Sequence, residues 1–274
     1  MSTFCELRAH FRQHIHTYQS YTQANRLLRR WVDTLDQAPD RLACYHRHQS
    51  QHAAPIQANK ELMLLRAMFN WGTRLGLWTG ENPARQIRLY PAYQREVVMT
   101  RQELVMLRDS LPECSVKYRA YFGQLLLTGC RMSEARKMRW VDLLPEHRWL
   151  KPITKNGRPH AVPIPLIAWD WIQAVPRTGE FVYMGLYGHC LSRPAAEKAW
   201  MEQRRAIGLS HIWLHDFRRT MMSYLYTELK ADELTIKALL NHYDKRPIAI
   251  YTRLNLEFLA EVLERYSQWV HALH

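Results

Sequence analysis

Between Trp149 and Ile164 the chain carries a short apolar–turn–apolar unit that a purely helical fold cannot absorb. Leu150 and Ile153 precede Lys155-Asn156-Gly157-Arg158, and Val162 and Ile164 follow it. Asn-Gly between apolar runs favours a tight hairpin, because both residues tolerate positive φ at little steric cost. The spacing predicts two antiparallel strands with Lys155 at or beside the turn. Elsewhere the apolar residues recur at helical intervals, so the expected fold is mainly α with one small antiparallel sheet.

Leu62, Leu65, Met68 and Phe69 share one face of a helix expected from about Pro55 to Leu77, closed by Gly76 and Asn82-Pro83. An amphipathic helix is also expected from Ala24 to Leu35, and a linker from Arg88 to Met99. Thr100 and Glu103 have the spacing of a capping box, in which side chain and backbone satisfy each other's donors. A helix from about Val116 to Leu127 should stop at Gly129 and restart near Ser133. From about Ala195 the chain reads as helical to its end. There Leu259, Val262, Leu263, Tyr266, Trp269 and Val270 form an apolar stripe. The division expected is a helical domain over residues 1–92 and a mostly helical α+β domain, carrying the sheet, over residues 93–274.

A chain of 274 residues can bury two such cores. It has 38 Lys and Arg against 25 Asp and Glu. The excess is shared: 13 basic and 7 acidic residues up to position 97, and 25 and 18 beyond. A basic balance over the whole length points to a polyanionic partner, nucleic acid above all, rather than to a basic tail on a neutral domain. The five cysteines are odd in number and form no Cys-x-x-Cys pair, which argues against a disulfide framework or a zinc site and fits a reducing cytoplasm. No apolar run is long enough to cross a membrane. His46, His48 and His52 could be read as metal ligands, but a polar loop is the expectation for them.

Opening a phosphodiester without a metal needs a nucleophile, cations on the non-bridging oxygens and a proton donor for the leaving alcohol. Arginine suits the oxygens because its planar fork can bond two of them and stays charged. Four segments supply these parts in order. Arg131 follows a glycine break and precedes a helix start. Lys155 sits at the hairpin. His215 and Arg218 are three apart, hence on one helical face. His242 lies nine residues before Tyr251. Each alone is unremarkable; the ordered set carries the signal.

That set resembles the tyrosine recombinase, or phage integrase, family. Leu127 to Glu134 is similar to the family's first box. Leu214 to Thr220 is similar to its Leu-His-Asp-Leu-Arg-Arg-Thr box, with Phe217 for the second leucine. Asn59 to Asn70 with Asn82-Pro83 resembles its core-binding domain. The resemblance implies a core-binding DNA-binding domain over 1–92 and a catalytic domain over 93–274, with no separate arm-binding domain. It implies that Tyr251 attacks the scissile phosphate to give a 3′-phosphotyrosyl bond, and that Arg131 and Arg218 clamp that phosphate. Lys155 would protonate the departing 5′ oxygen, His215 would assist proton transfer at Tyr251, and His242 would hydrogen-bond the phosphate. Glu134 would orient Arg131. No cofactor and no metal are implied.

The implied partner is double-stranded DNA at a specific site, bound by a dimer that pairs into a tetramer and exchanges strands through a Holliday junction. The source implied is a bacterium, phage or mobile element, with the protein on the nucleoid. The C-terminal stripe either packs on its own domain or docks on a neighbouring protomer. Two positions depart from the pattern: Asn241 replaces a glycine, and Arg253 stands where a histidine is frequent. Alternative readings are a type IB topoisomerase, which the core-binding-like first half disfavours, and a DNA-binding relative without chemistry.

Overall fold

The computed structural model describes residues 4–15, 42–52, 55–91, 96–152, 159–241 and 256–274. Two compact units form, Met1–Arg95 and Glu96–His274. The helix expected over Ala24–Leu35 lies outside the described residues.

The first unit is helical where described: α1 (Phe4–His14), α2 (Leu42–His52) and α3 (Pro55–Arg74). Leu7, Phe11, Leu62, Leu65, Met68 and Phe69 are buried together. α3 and α1 approach closely at Gly72, where a Cβ would lie 2.4 Å from Leu7 Cδ1. Past α3, Gly76 takes φ +69, a left-handed geometry that only glycine adopts cheaply, and Leu77 N–H bonds back to Gly72 O at 2.9 Å. Polar side chains of α3 then hold the chain that follows. Asn59 donates to Tyr90 O at 2.8 Å and accepts from Tyr90 N at 2.9 Å, and Arg66 Nε donates to Ala84 O at 2.8 Å.

The histidine cluster is not in a loop: residues 42–52 are helical. His46 is buried, within 3.3 Å of Asn59 Oδ1 and stacked on Tyr90. Burial, ahead of its bond to Asn59, leaves its pKa below the ordinary imidazole value. It is a packing residue of this unit.

The second unit opens with α4 (Arg101–Ser110), and Thr100 and Glu103 complete both halves of the capping box. α5 (Val116–Thr128) is the core helix of this unit, with every residue from Ala120 to Thr128 buried. It packs against α7 (Leu166–Gln173), α9 (Leu214–Thr227) and α11 (Leu256–His271). Gly123 makes the α5–α7 contact possible, since a Cβ there would sit 2.3 Å from the Trp171 ring. The contact is with the Trp171 ring, which packs against the core of this unit, so the ring would have to shift to admit a methyl group. Gly123→Ala should therefore lower the unfolding free energy by about 1–3 kcal/mol, an overpacking cost readable by urea denaturation; unchanged stability would show that α7 can shift.

α5 stops at Gly129, at φ 57 and ψ 17, and Arg131 becomes the N-cap of the one-turn helix α6 (Met132–Ala135). The sheet follows. β1 (Leu143–Leu144), β2 (Arg148–Lys151) and β3 (His160–Pro163) pair antiparallel in that order, with Trp149 opposite Val162 and Lys151 opposite His160. The hairpin tip with Lys155 lies outside the described residues. β1 was not anticipated.

The remaining helices are α8 (Arg193–Ala206), α9, α10 (Glu233–Leu239) and α11. The expected continuous helical stretch is broken at Gly208 (φ 75) and Lys230 (φ 56). Of the stripe on α11, Leu259, Val262, Leu263, Tyr266 and Val270 join the core of this unit and Trp269 packs beside it. Within the single chain α11 packs on its own unit and leaves Phe258 exposed. Among the described residues, no helix is long and apolar enough to cross a membrane.

Candidate active site

Three of the six expected residues are described, and their charges act on one another within one region of the second unit. Arg131 reaches it from the break after α5. His215 and Arg218 reach it from the first turn and a half of α9. Lys155, His242 and Tyr251 lie outside the described residues.

Arg218 is 5% exposed, an unusual burial for an arginine. Its guanidinium is held by two backbone carbonyls from different elements. Nη1 donates to Gly129 O at 2.7 Å and Nη2 donates to Leu240 O at 2.8 Å. Both carbonyls are at helix ends, where the intrahelical ladder leaves them open. The glycine that ends α5 therefore also aims one of the carbonyls that fixes the arginine. Burial, then the nearby charge of Arg131, brings the Arg218 pKa down to about 10, so it stays cationic at neutral pH.

Arg131 is half-exposed and pairs with Glu134 one turn on, Nη1 to Oε1 at 3.1 Å. The other oxygen, Oε2, accepts from Lys151 Nζ at 2.9 Å. Lys151 is 5% exposed and lies on the inward face of β2, with its ammonium 5.2 Å from the Trp149 ring centre. Sequence reasoning missed it. The signal was available, since strand alternation from a buried Trp149 sends Lys151 to the same face.

His215 has an exposed ring. Its pKa lies below the ordinary value, first through partial desolvation and then through Arg219, Arg218 and Arg131. A mostly neutral imidazole at neutral pH can take a proton. Arg131, Arg136, Arg193, Trp213 and His215 line a cleft of about 420 Å³. Among the described residues, no group of three or more His, Cys, Asp or Glu side chains is placed to hold a metal ion.

The end of α10 connects the site to the stretch that follows it. Leu240 O holds Arg218, and Leu239 O lies 3.4 Å from His160 Nε2. Asn241 comes next, at φ 51. This is the left-handed region, which asparagine enters more readily than most side chains, and it accounts for asparagine standing in for a glycine immediately before His242.

Arg131 and His215 line one cleft, and the buried Arg218 lies within charge range of both, an arrangement suited to holding a phosphate by charge-assisted bonds. Residues 97–257, more than half of the chain, match the phage integrase family. The chain belongs to that family. It is a tyrosine recombinase by class. The tyrosine recombinase XerD of Lacticaseibacillus casei is 23% identical over 238 residues, covering 82% of this chain and 81% of the relative. A lambda integrase dimer bound to a COC′ core site superposes with a TM-score of 0.71 at 17% identity, covering 90% of this chain and 99% of that one. A lambda integrase tetramer bound to a Holliday junction gives 0.72 at 16% identity, covering 93% and 80%. The mainly α architecture with a small antiparallel sheet is thus that of the lambda integrase.

Proposed function

We propose that this recombinase cuts and rejoins double-stranded DNA at a specific site through a 3′-phosphotyrosyl intermediate on Tyr251. The observation that carries the reading is the pair of arginines: Arg218 locked on Gly129 O and Leu240 O, and Arg131 paired with Glu134, with His215 lining the cleft beside Arg131. Donors fixed before the substrate arrives need no reorganisation as charge develops on a phosphate, and this is the largest contribution such a site can make.

In the cleavage step the Tyr251 oxygen bonds to phosphorus and the bond from phosphorus to the 5′ oxygen breaks. The phenol proton passes toward His215, and Lys155 gives a proton to the departing 5′ oxygen. Arg131 and Arg218 bind the non-bridging oxygens, with His242 bonding the same phosphate. The number of phosphodiester-type bonds is unchanged, so the reverse attack by a 5′ hydroxyl rejoins the strand with no energy source. Residues 1–92 would bind the same duplex as the catalytic domain. Self-association to a dimer and then a tetramer on DNA, passing through a Holliday junction, follows the assemblies named for the lambda integrase structures. If α11 contributes to that assembly it does so through its outward face, where Phe258 is exposed.

The test is a nicked duplex carrying the sequences that flank the protein's own coding region. With the wild type, a covalent protein–DNA adduct should accumulate as the short 5′-hydroxyl fragment diffuses away. Tyr251→Phe should form none. An adduct that persists in Tyr251→Phe overturns the assignment, and tight site-specific binding with no adduct from the wild type would make the chain a non-catalytic relative.

A further inference from the structure

We propose that Lys151 is a positioning residue for strand cleavage: a buried cation that pins the Glu134 carboxylate and, through it, Arg131. The inference rests on the strand-cleavage reading above.

Each oxygen of Glu134 serves one cation, Oε1 for Arg131 at 3.1 Å and Oε2 for Lys151 at 2.9 Å. Arg131 faces the cleft and is partly in solvent, whereas Lys151 is almost wholly buried. A lysine at an inward strand position is expensive, and an apolar side chain would fill the space behind Trp149 at lower cost. What an apolar residue cannot do is anchor the far oxygen of Glu134. Held at both oxygens, the carboxylate cannot swing outward with Arg131, so the guanidinium stays on the cleft wall.

The charged and titratable groups facing Glu134 come from five places. They are Arg131 at the start of α6, Lys151 on β2, His160 on β3, Cys130 in the α5–α6 link and Arg218 on α9. His160, opposite Lys151 in the ladder, is brought down to a pKa of about 4, first by burial and then by Lys151, and is neutral at working pH. Burial pushes the Cys130 thiol up to about 11, so it too is neutral. Burial also acts to raise the Glu134 carboxyl, but Lys151 and then Arg131 more than reverse this and hold it below the usual value. Without Lys151, Arg131 alone is left to oppose burial, so the carboxyl should take up a proton at a higher pH than in the wild type and hold Arg131 less firmly.

The experiment is single-turnover adduct formation by Lys151→Met on the nicked duplex, from pH 5.5 to 8.5, beside the wild type and Tyr251→Phe. The expected rate at pH 7.5 is about 10- to 100-fold below wild type, the scale of a misplaced reacting geometry. The rate should fall further toward pH 5.5, more steeply than wild type. A substrate with sulfur at the bridging 5′ position needs no proton donor for its leaving group. It should relieve Lys155→Ala and leave Lys151→Met slow.

The double variant Lys151→Met/Glu134→Gln removes the lone buried carboxylate. It should regain the wild-type melting midpoint and lose the acid sensitivity, yet stay slow. A folded Lys151→Met with the wild-type rate and pH profile overturns the proposal. So does rescue by the sulfur substrate, which would make Lys151 the proton donor itself. If Lys151→Met does not fold, wild-type cleavage by the double variant overturns it. An adduct persisting in Tyr251→Phe would instead overturn the strand-cleavage reading and leave the geometry of Lys151 unexplained.

Discussion

Arg218→Lys should slow strand cleavage by about 100- to 1,000-fold, the scale of losing one fixed donor to a developing oxyanion. Charge is conserved in this substitution; what is lost is the fork. The guanidinium of Arg218 reaches Gly129 O and Leu240 O simultaneously, on two elements 22 and 89 residues away in sequence. An ammonium is a compact point charge and cannot span both carbonyls while also facing a phosphate. One buried carbonyl would be left without a donor, at a cost of about 1–3 kcal/mol in stability. Single-turnover adduct formation gives the first quantity and urea denaturation the second. Cleavage within tenfold of wild type would mean that a positive charge suffices and that the two carbonyls serve folding only.

Glu134→Ala should destabilise the second unit by about 3–5 kcal/mol, because it leaves the buried Lys151 ammonium without its counter-ion. The Trp149 ring, 5.2 Å away, offsets little of this. Arg131→Ala removes the other partner of the same carboxylate, but Arg131 is partly in solvent, and its loss should cost about 1 kcal/mol or less. The contrast between the two variants is the informative quantity. The pH dependence has a definite sign. The Glu134 pKa is depressed in the folded protein, so the stability it contributes is present above the ordinary carboxyl value and is lost as pH falls through the depressed one. The gap between wild type and Glu134→Ala should therefore narrow in acid. Equal unfolding free energies for Glu134→Ala and Arg131→Ala at neutral pH would contradict the view that Lys151 depends on Glu134.

The helical elements were legible where local chemistry and tertiary need agree. Leu62, Leu65, Met68 and Phe69 mark α3, the Thr100 capping box starts α4, and Gly129 ends α5. The β2–β3 pairing was legible from the apolar runs on either side of Asn156-Gly157. β1 was not, because its turn into β2 puts Glu146 at φ 61 and His147 at φ 54, and neither residue advertises a left-handed conformation. The helix at Leu42–His52 was missed because its sequence is polar and histidine-rich; burial of His46 against Asn59 and Tyr90 shows that tertiary contacts, not amphipathic periodicity, account for it. Within the candidate site, residue types in order singled out Arg131, His215 and Arg218. The groups that fix them could not be read the same way. Gly129 O and Leu240 O are backbone atoms with no sequence signature, and Lys151 stands out only when Trp149 is taken as the inward side of its strand.

The most direct measurement is to isolate the protein–DNA adduct, digest both components and identify the modified residue by mass spectrometry. The expected product is a nucleotide joined through its 3′ phosphate to Tyr251, with a free 5′ hydroxyl on the released strand. A nucleotide on any other residue, or one joined through a 5′ phosphate, would contradict the strand-cleavage reading.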